Sequence, residues 1–262
     1  MKVRSLALTT ELALAAMRGC VTDRDDYIVV ETPDNPGYYD GNVLVLPAAP
    51  QVGEVAHWLR KFEAELSGKN LAIKHMTLWW DGIAGAVGAA DELRAAGFTI
   101  NVNSVMVVDA PPAPVAAPDG IEIRQLDANE VLATADIAWA IADRHDDVYR
   151  RFYQRRANWH RQLAVRGAAT FWAAFDGAQI VGSLGLVTLG NVGRYQDVQT
   201  LVAYRRRGIA TTLLVAAARH AFEHGMSRVV IIAEAGSGAD QVYTRIGFRE
   251  IEKMASAVKA PS

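Results

Sequence analysis

Cysteine is nearly missing from this sequence: Cys20 is the only one in 262 residues. A single thiol excludes an internal disulfide framework and fits a reducing compartment. No Cys and His cluster has the spacing of a zinc site, so no metal is expected. Charge of one sign is also missing. The 27 Lys and Arg nearly balance 29 Asp and Glu, for a net charge of −2, which is not the basic footprint of a nucleic-acid binder. No apolar run is long enough to span a membrane. The start, Met1-Lys2-Val3-Arg4 then Leu6-Ala7-Leu8, is faintly like a signal peptide. Thr9-Thr10-Glu11 interrupts that run and no clear small-residue cleavage site follows. Thr9 or Thr10 reads better as the N-cap of a helix over Glu11–Arg18, stopped by Gly19. The expected location is the cytoplasm. Nor is there a Ser/His/Asp or Cys/His constellation for nucleophilic catalysis.

What is present is a chain able to bury proper cores, at 51% hydrophobic and 21% charged residues. Ala110–Gly120 holds four of the nine prolines and reads as a semi-rigid linker. It divides 1–109 from 121–262. In the first part, strand-like Asp26–Glu31, Asn42–Leu46, Lys74–Trp80 and Val102–Val108 alternate with helices over Val52–Leu66 and Val87–Ala96, an α/β grammar. The turn carrying Tyr38 and Tyr39 is either a lip on a pocket or a packed loop. Trp58, Trp79 and Trp80 read as core. In the second part, strand Ile121–Leu126 is followed by a helix from Asp127 to Ile141 and a polar break at Asp143–Asp147. A second helix, Tyr149–Val165, directs Phe152, Trp159 and Leu163 to the core. Thr170–Phe175 and Gln179–Thr188 form a hairpin around Asp176-Gly177.

The most informative stretch is Val198–Leu214. A strand ending near Val202 gives way to Arg205-Arg206-Arg207-Gly208-Ile209-Ala210, and a helix runs from Ala210 to a stop at Gly225. The first turn of a helix presents N–H groups without intrahelical partners and partial positive charge. That end suits phosphate. Gly208 admits close approach of a ligand, and three arginines add attraction for a polyanion. The Lys-Ser/Thr of a nucleotide P-loop is missing.

This stretch resembles motif A of the GNAT superfamily of acetyl-CoA-dependent N-acyltransferases, Arg/Gln-x-x-Gly-x-Gly/Ala, with Arg205, Gly208 and Ala210 in place. Ala239–Phe248 resembles the family's closing motif, Ala-x-x-x-Tyr-x-x-x-Gly-Phe, with Tyr243 as its tyrosine. The resemblance implies an α/β (α+β) fold of two GNAT-like units, each a mixed, mainly antiparallel sheet flanked by helices. It implies that Arg205, Arg206, Arg207, Gly208, Ile209, Ala210 and Thr211 hold the CoA pyrophosphate. Thr200, Leu201 and Val202 would pair with the pantetheine arm, with backbone near Leu201 as oxyanion donor. Tyr243 would protonate the departing thiolate. Gly236 stands where many members carry a cofactor-contacting Asn.

The implied reaction moves an acetyl group from acetyl-CoA to a primary amine by direct attack through a tetrahedral intermediate. An amine has a pKa of about 10.4, so it benefits from a base. Asp197, Glu234, His145, His160 and a water relay all stay open for that role. The acceptor, a small molecule or a protein amine, is not chosen by the sequence, and a homodimer is possible. A silent CoA-binding sensor or scaffold is the alternative; it would keep Arg205–Ala210 and not need Tyr243.

The first part reads as a faded copy of the second. Ala89–Phe98 repeats the closing motif with Leu93 in place of Tyr243. Val43–Leu46 leads through Pro47–Pro50 to Gly53-Glu54-Val55, where no arginine precedes the glycine and Glu54 would repel phosphate. Its role would be structural: covering the second part, shaping its acceptor pocket, or forming a dimer surface.

Overall fold

Two parallel neighbouring strands need a connection that travels back over the sheet, and a helix supplies it. Each half of the chain contains one such crossover. In the first half the elements are α1 (Leu6–Arg18), β1 (Cys20–Asp23), β2 (Ile28–Glu31), β3 (Val43–Leu46), α2 (Val55–Phe62, prolonged by a π turn over Glu63–Ser67), β4 (Met76–Trp80), α3 (Ala90–Ala95) and β5 (Thr99–Val108). In the second they are β6 (Ile121–Gln125), a 3-10 turn (Glu130–Ala133), α4 (Thr134–Ala140), α5 (Asp147–Val165), β7 (Ala169–Asp176), β8 (Gln179–Leu189) and β9 (Val192–Thr200). A 3-10 turn (Val202–Tyr204), α6 (Ile209–Glu223), β10 (Arg228–Glu234), α7 (Ala239–Ile246) and β11 (Arg249–Lys259) complete the chain. This computed structural model describes residues 1–261. No helix among them is long and apolar enough to cross a membrane.

By contact the chain forms two units. The first comprises 1–105, 232–237 and the C-terminal stretch from Glu250; the second comprises 106–231 and 238–249. This division follows a different line from the boundary expected at 110–120. The last strand, assigned from sequence to the C-terminal domain, contributes residues from Glu250 onward to the first unit.

The first unit has strand order β1-β2-β3-β4-β11-β5. β3 and β4 run parallel, with Leu44 opposite Leu78 and Leu46 opposite Trp80, and α2 is their crossover. β11 joins β4 antiparallel, Ser256 opposite Trp79. The core of this unit gathers Leu44, Leu46, Phe62, Leu66, Leu78, Trp80, Leu93 and Phe98. Trp79 and Trp80 are buried and Trp58 packs against the same cluster, as read from sequence. β1 is a short edge strand that the sequence reading missed. The N-cap of α1 is Ser5 rather than Thr9 or Thr10. Glu252 of β11 accepts from the Leu6 and Ala7 amides at 3.0 and 3.2 Å, and Asp81 accepts from the Ser5 amide at 3.0 Å.

The second unit has order β10-β9-β8-β7-β6. β6 to β9 are antiparallel neighbours, and β10 lies parallel to β9, Arg228 opposite Val192, with α6 as crossover. The buried face of α6 carries Leu213, Leu214, Ala217, Ala218 and Ala221. Tyr195 of β9 is buried beneath it and donates to the Leu214 carbonyl at 2.5 Å. The helix expected from Asp127 to Ile141 is split. Asp127 accepts from the Asn129 and Glu130 amides, capping the 3-10 turn, and α4 begins only at Thr134.

The element-level repeat is strong. Strand, glycine turn, helix, parallel strand, helix, final strand occurs twice. Gly53 and Gly208 have φ of +89° and +86°. After α3 the Phe98 amide bonds the Leu93 carbonyl, and after α7 the Phe248 amide bonds the Tyr243 carbonyl, each at 3.0 Å. Leu93 and Tyr243 thus hold the same place in the two copies.

In the first unit the tyrosine turn packs against the unit's own side chains: Arg18 lies 4.3 Å above the Tyr38 ring and Tyr39 stacks on His75 at 4.3 Å. His75 is 2% exposed, and its Nε2 has no hydrogen-bond partner. Burial pulls its pKa down from 6.5 to about 4. The unfolded chain therefore takes up a proton first as pH falls. The contribution is complete above pH 6.5 and drains away between 6.5 and 4. Urea unfolding at pH 7 and pH 4.5 is expected to show His75→Gln losing about 2–3 kcal/mol less than wild type over that interval.

Candidate active site

The turn between β9 and α6 is shaped by its backbone. β9 stops at Thr200, two residues earlier than expected, and Val202 begins a 3-10 turn rather than ending the strand. Arg206 and then Gly208 take positive φ, at +64° and +86°. The left-handed Gly208 is the N-cap of α6 and offers no side chain, so the first amides of the helix have no side-chain cap. A Cβ built on Gly208 would meet only Pro118 Cγ, at 3.9 Å. Arg205, Arg206 and Arg207 are exposed around it. The loop is tied down by Tyr204, whose hydroxyl donates to Asp176 at 2.8 Å, while Arg207 lies 5.0 Å over its ring.

The matching turn in the first unit is closed by its own acids. The Gly53 amide donates to Glu92 at 2.7 Å, and the Gln51 amide donates to Glu54 at 2.8 Å. Carboxylates stand where the second unit leaves room for a phosphate. Two further observations fit a ligand along β9. Thr200 Oγ1 and Gln199 Oε1 are buried without hydrogen-bond partners, a cost that a bound group with donors removes.

β9 carries a bulge. Its register against β8 shifts between Ser183 and Gly185, and Asp197 sits in the extra space at φ +49°. A bulge kinks a strand and takes a residue out of the ladder. Leu201, expected as oxyanion donor, instead gives its amide to the Val181 carbonyl at 3.0 Å. The irregular backbone lies upstream, at Asp197 and Val198.

The bulge opens onto a cleft of about 510 Å³. Ala138, Ile141 and Ala142 line one side, and Tyr149, Phe152, Tyr153 and Arg156 of α5 line another. Asp197, Val198 and Gln199 form its inner wall. Phe152, read from sequence as core, turns into this cleft. Asp197 Oδ2 lies 3.2 Å from Arg156 Nε and 3.5 Å from His160 Nε2. His160 is 3% exposed and packs on Phe171, so it reaches Asp197 from behind. His145 is exposed and meets Trp139 instead.

Tyr243 lies on α7, 8% exposed, with its ring 6.2 Å from Phe248. Burial pushes its pKa up, so it stays protonated at neutral pH. Glu234 ends β10 as an exposed residue of the first unit. Gly236 has φ +76° and no side chain to replace the family's Asn. Arg156, Gln199 and Tyr204 were not singled out from sequence. Arg156 and His160 do share one face of α5 by their four-residue spacing, but their partner is set by the bulge, which sequence does not reveal.

The family model of the acetyltransferase (GNAT) domain matches residues 138–257. That span runs from α4 through β11 and includes the cleft, the arginine turn and Tyr243. No curated protein matches the sequence. A functionally unknown conserved protein from Staphylococcus epidermidis aligns with a TM-score of 0.74 at 18% identity, over 94% of this chain and 96% of that one. A GCN5-related N-acetyltransferase from Kribbella flavida aligns at 0.65 and 15% identity, over 100% and 98%. A tandem GNAT protein of the clavulanic acid biosynthesis pathway aligns at 0.56 and 14%, over 84% and 76%. The chain has the tandem GNAT fold.

Gly208→Ala would force a side chain into the left-handed region at a cost of about 1–2 kcal/mol. Urea unfolding is expected to show that loss with the fold retained.

Proposed function

We propose that the protein is an N-acetyltransferase that transfers an acetyl group from acetyl-CoA to a primary amine by direct attack. One observation carries this reading. The α6 N-terminus is uncapped at Gly208 and ringed by exposed arginines, whereas the turn at Gly53 carries no arginine and its Gln51 and Gly53 amides are taken by the carboxylates of Glu54 and Glu92. A chain that closes one copy and leaves the other open keeps the open one as an anion site.

Acetyl-CoA, when bound, supplies an acyl thioester whose carbonyl is the electrophile. The amides of Ile209, Ala210 and Thr211, with Arg205, Arg206 and Arg207, hold its pyrophosphate. Thr200, with Leu201 and Val202 beyond the end of β9, takes the pantetheine arm. The bulge at Asp197 and Val198 offers backbone N–H to the developing oxyanion, in place of Leu201. Asp197 accepts a hydrogen bond from the incoming amine and orients it. Tyr243, kept protonated by burial, gives its proton to the thiolate. Asp197 is also the carboxylate that takes the amine proton as the C–N bond forms. The reading extends to the cytoplasm, where the exposed thiol of Cys20 stays reduced.

Calorimetry with acetyl-CoA tests the site. Wild type is expected to bind, and Gly208→Glu to lose binding by at least about tenfold, since an acid at the N-cap opposes the phosphates. Tyr243→Phe is expected to bind acetyl-CoA normally and to lower kcat by about 10²-fold or more on an amine that wild type acetylates. Absence of acetyl-CoA binding by wild type would overturn the proposal.

A further inference from the structure

The cleft beside the β9 bulge carries information about the acceptor that the GNAT fold does not. Four charged residues line it: Asp143, Arg144, Arg156 and Asp197. Two acids against two arginines leave the lining formally neutral. Both arginines are already engaged. Arg144 pairs with Asp146 at 2.8 Å, and Arg156 with Asp197 at 3.2 Å. An acceptor with a carboxylate or phosphate would meet guanidiniums whose charge Asp146 and Asp197 already offset. A polycation would need an excess of acid, which the cleft does not offer.

Much of the rest of its surface is aromatic or aliphatic. Phe152 and Tyr153 meet edge to face at 5.3 Å, and Tyr149 lies 6.5 and 6.3 Å from them. The two guanidiniums lie over these rings, Arg144 at 4.6 Å from Tyr149 and Arg156 at 5.1 Å from Tyr153. Ala138, Ile141 and Ala142 give the opposite side. Aromatic and planar groups pack well in such a space. At the inner end two acceptors stand beside the Arg156 guanidinium: the Asp197 carboxylate and the buried, unpartnered Gln199 Oε1. An amine has N–H donors to give to both. A carboxylate has room for several donors, so Asp197 can take an amine without releasing Arg156.

We propose that the acceptor is a primary amine on an uncharged, aromatic or comparably flat apolar body, its nitrogen docked between Asp197 and Gln199 and its body along Tyr149, Phe152 and Tyr153. This rests on the acetyltransferase reading and specifies its substrate class. Arg156 acts as a positioning residue: it fixes Asp197 at the inner wall and closes one face of the aromatic group.

The test uses the full chain with acetyl-CoA and three amines: 2-phenylethylamine, L-phenylalanine, which adds a carboxylate to the same body, and spermidine. The kcat/KM for 2-phenylethylamine is expected to exceed the other two by about tenfold or more. Phe152→Leu, which keeps an apolar side chain, should raise KM for 2-phenylethylamine about tenfold while moving kcat little. Arg144→Glu sits at a side chain 61% exposed and leaves three acids to one arginine. It should shift preference toward spermidine about tenfold. Saturation-transfer NMR on the amine, run without acetyl-CoA, reads docking apart from catalysis. If acetyl-CoA binds and 2-phenylethylamine is neither docked nor preferred, the substrate class is overturned and the enzyme reading stands. If acetyl-CoA does not bind, the enzyme reading falls, and the amine-docking spectra still decide the cleft.

Discussion

The candidate site depends on one geometrical demand: β9 must pass into α6 so that the chain can return parallel to itself as β10. That passage requires a tight turn, and Gly208 makes it by adopting φ +86°. Its consequences are local and electrostatic. The turn exposes helix amides, leaves them without a side-chain cap, and gathers three arginines beside them. The same demand is met at Gly53 with nearly the same φ. There Glu92 and Glu54 take the Gly53 and Gln51 amides of the turn itself, and acid rather than arginine surrounds the helix end. One backbone solution thus has two chemical outcomes, and the difference is a pair of carboxylates.

The bulge in β9 is the second device. An ordinary strand would place alternate side chains of Gln196–Thr200 on one face and pair alternate amides with β8. The bulge breaks that alternation at Asp197. A carboxylate is then held on the inner wall of the cleft, against Arg156 and His160 one turn apart on α5. Helix spacing and strand irregularity together produce the cluster; neither does so alone.

Much of this was legible in the chain. Arg205, Gly208, Ala210 and Tyr243 stand at family spacing, and the strand and helix around them followed the expected periodicities. The repeat was visible at Ala89–Phe98 because Gly-Phe after a helix carries a backbone pattern, which the paired Leu93–Phe98 and Tyr243–Phe248 bonds display. What sequence hid was non-local. Ser5 caps α1, with Asp81 and Glu252 supplying the surrounding carboxylates, and neither can be found by looking three residues ahead. Glu92 fills the Gly53 turn from another helix. The bulge has no residue signature, so Arg156 and Gln199 gave no signal, and Leu201 was assigned an amide that Val181 already holds.

The strand β11 has a consequence for how the protein is made. It pairs with β4 and brings Glu252 to the first turn of α1. Domains leaving a ribosome generally fold from the N-terminus onward. Here the N-terminal unit is finished only after the second unit's strands have been made, because its sheet lacks a strand until β11 has been synthesised. Until then β4 presents an open edge, the kind of surface that invites mispairing. Emergence of β11 is therefore the event that seals the first unit.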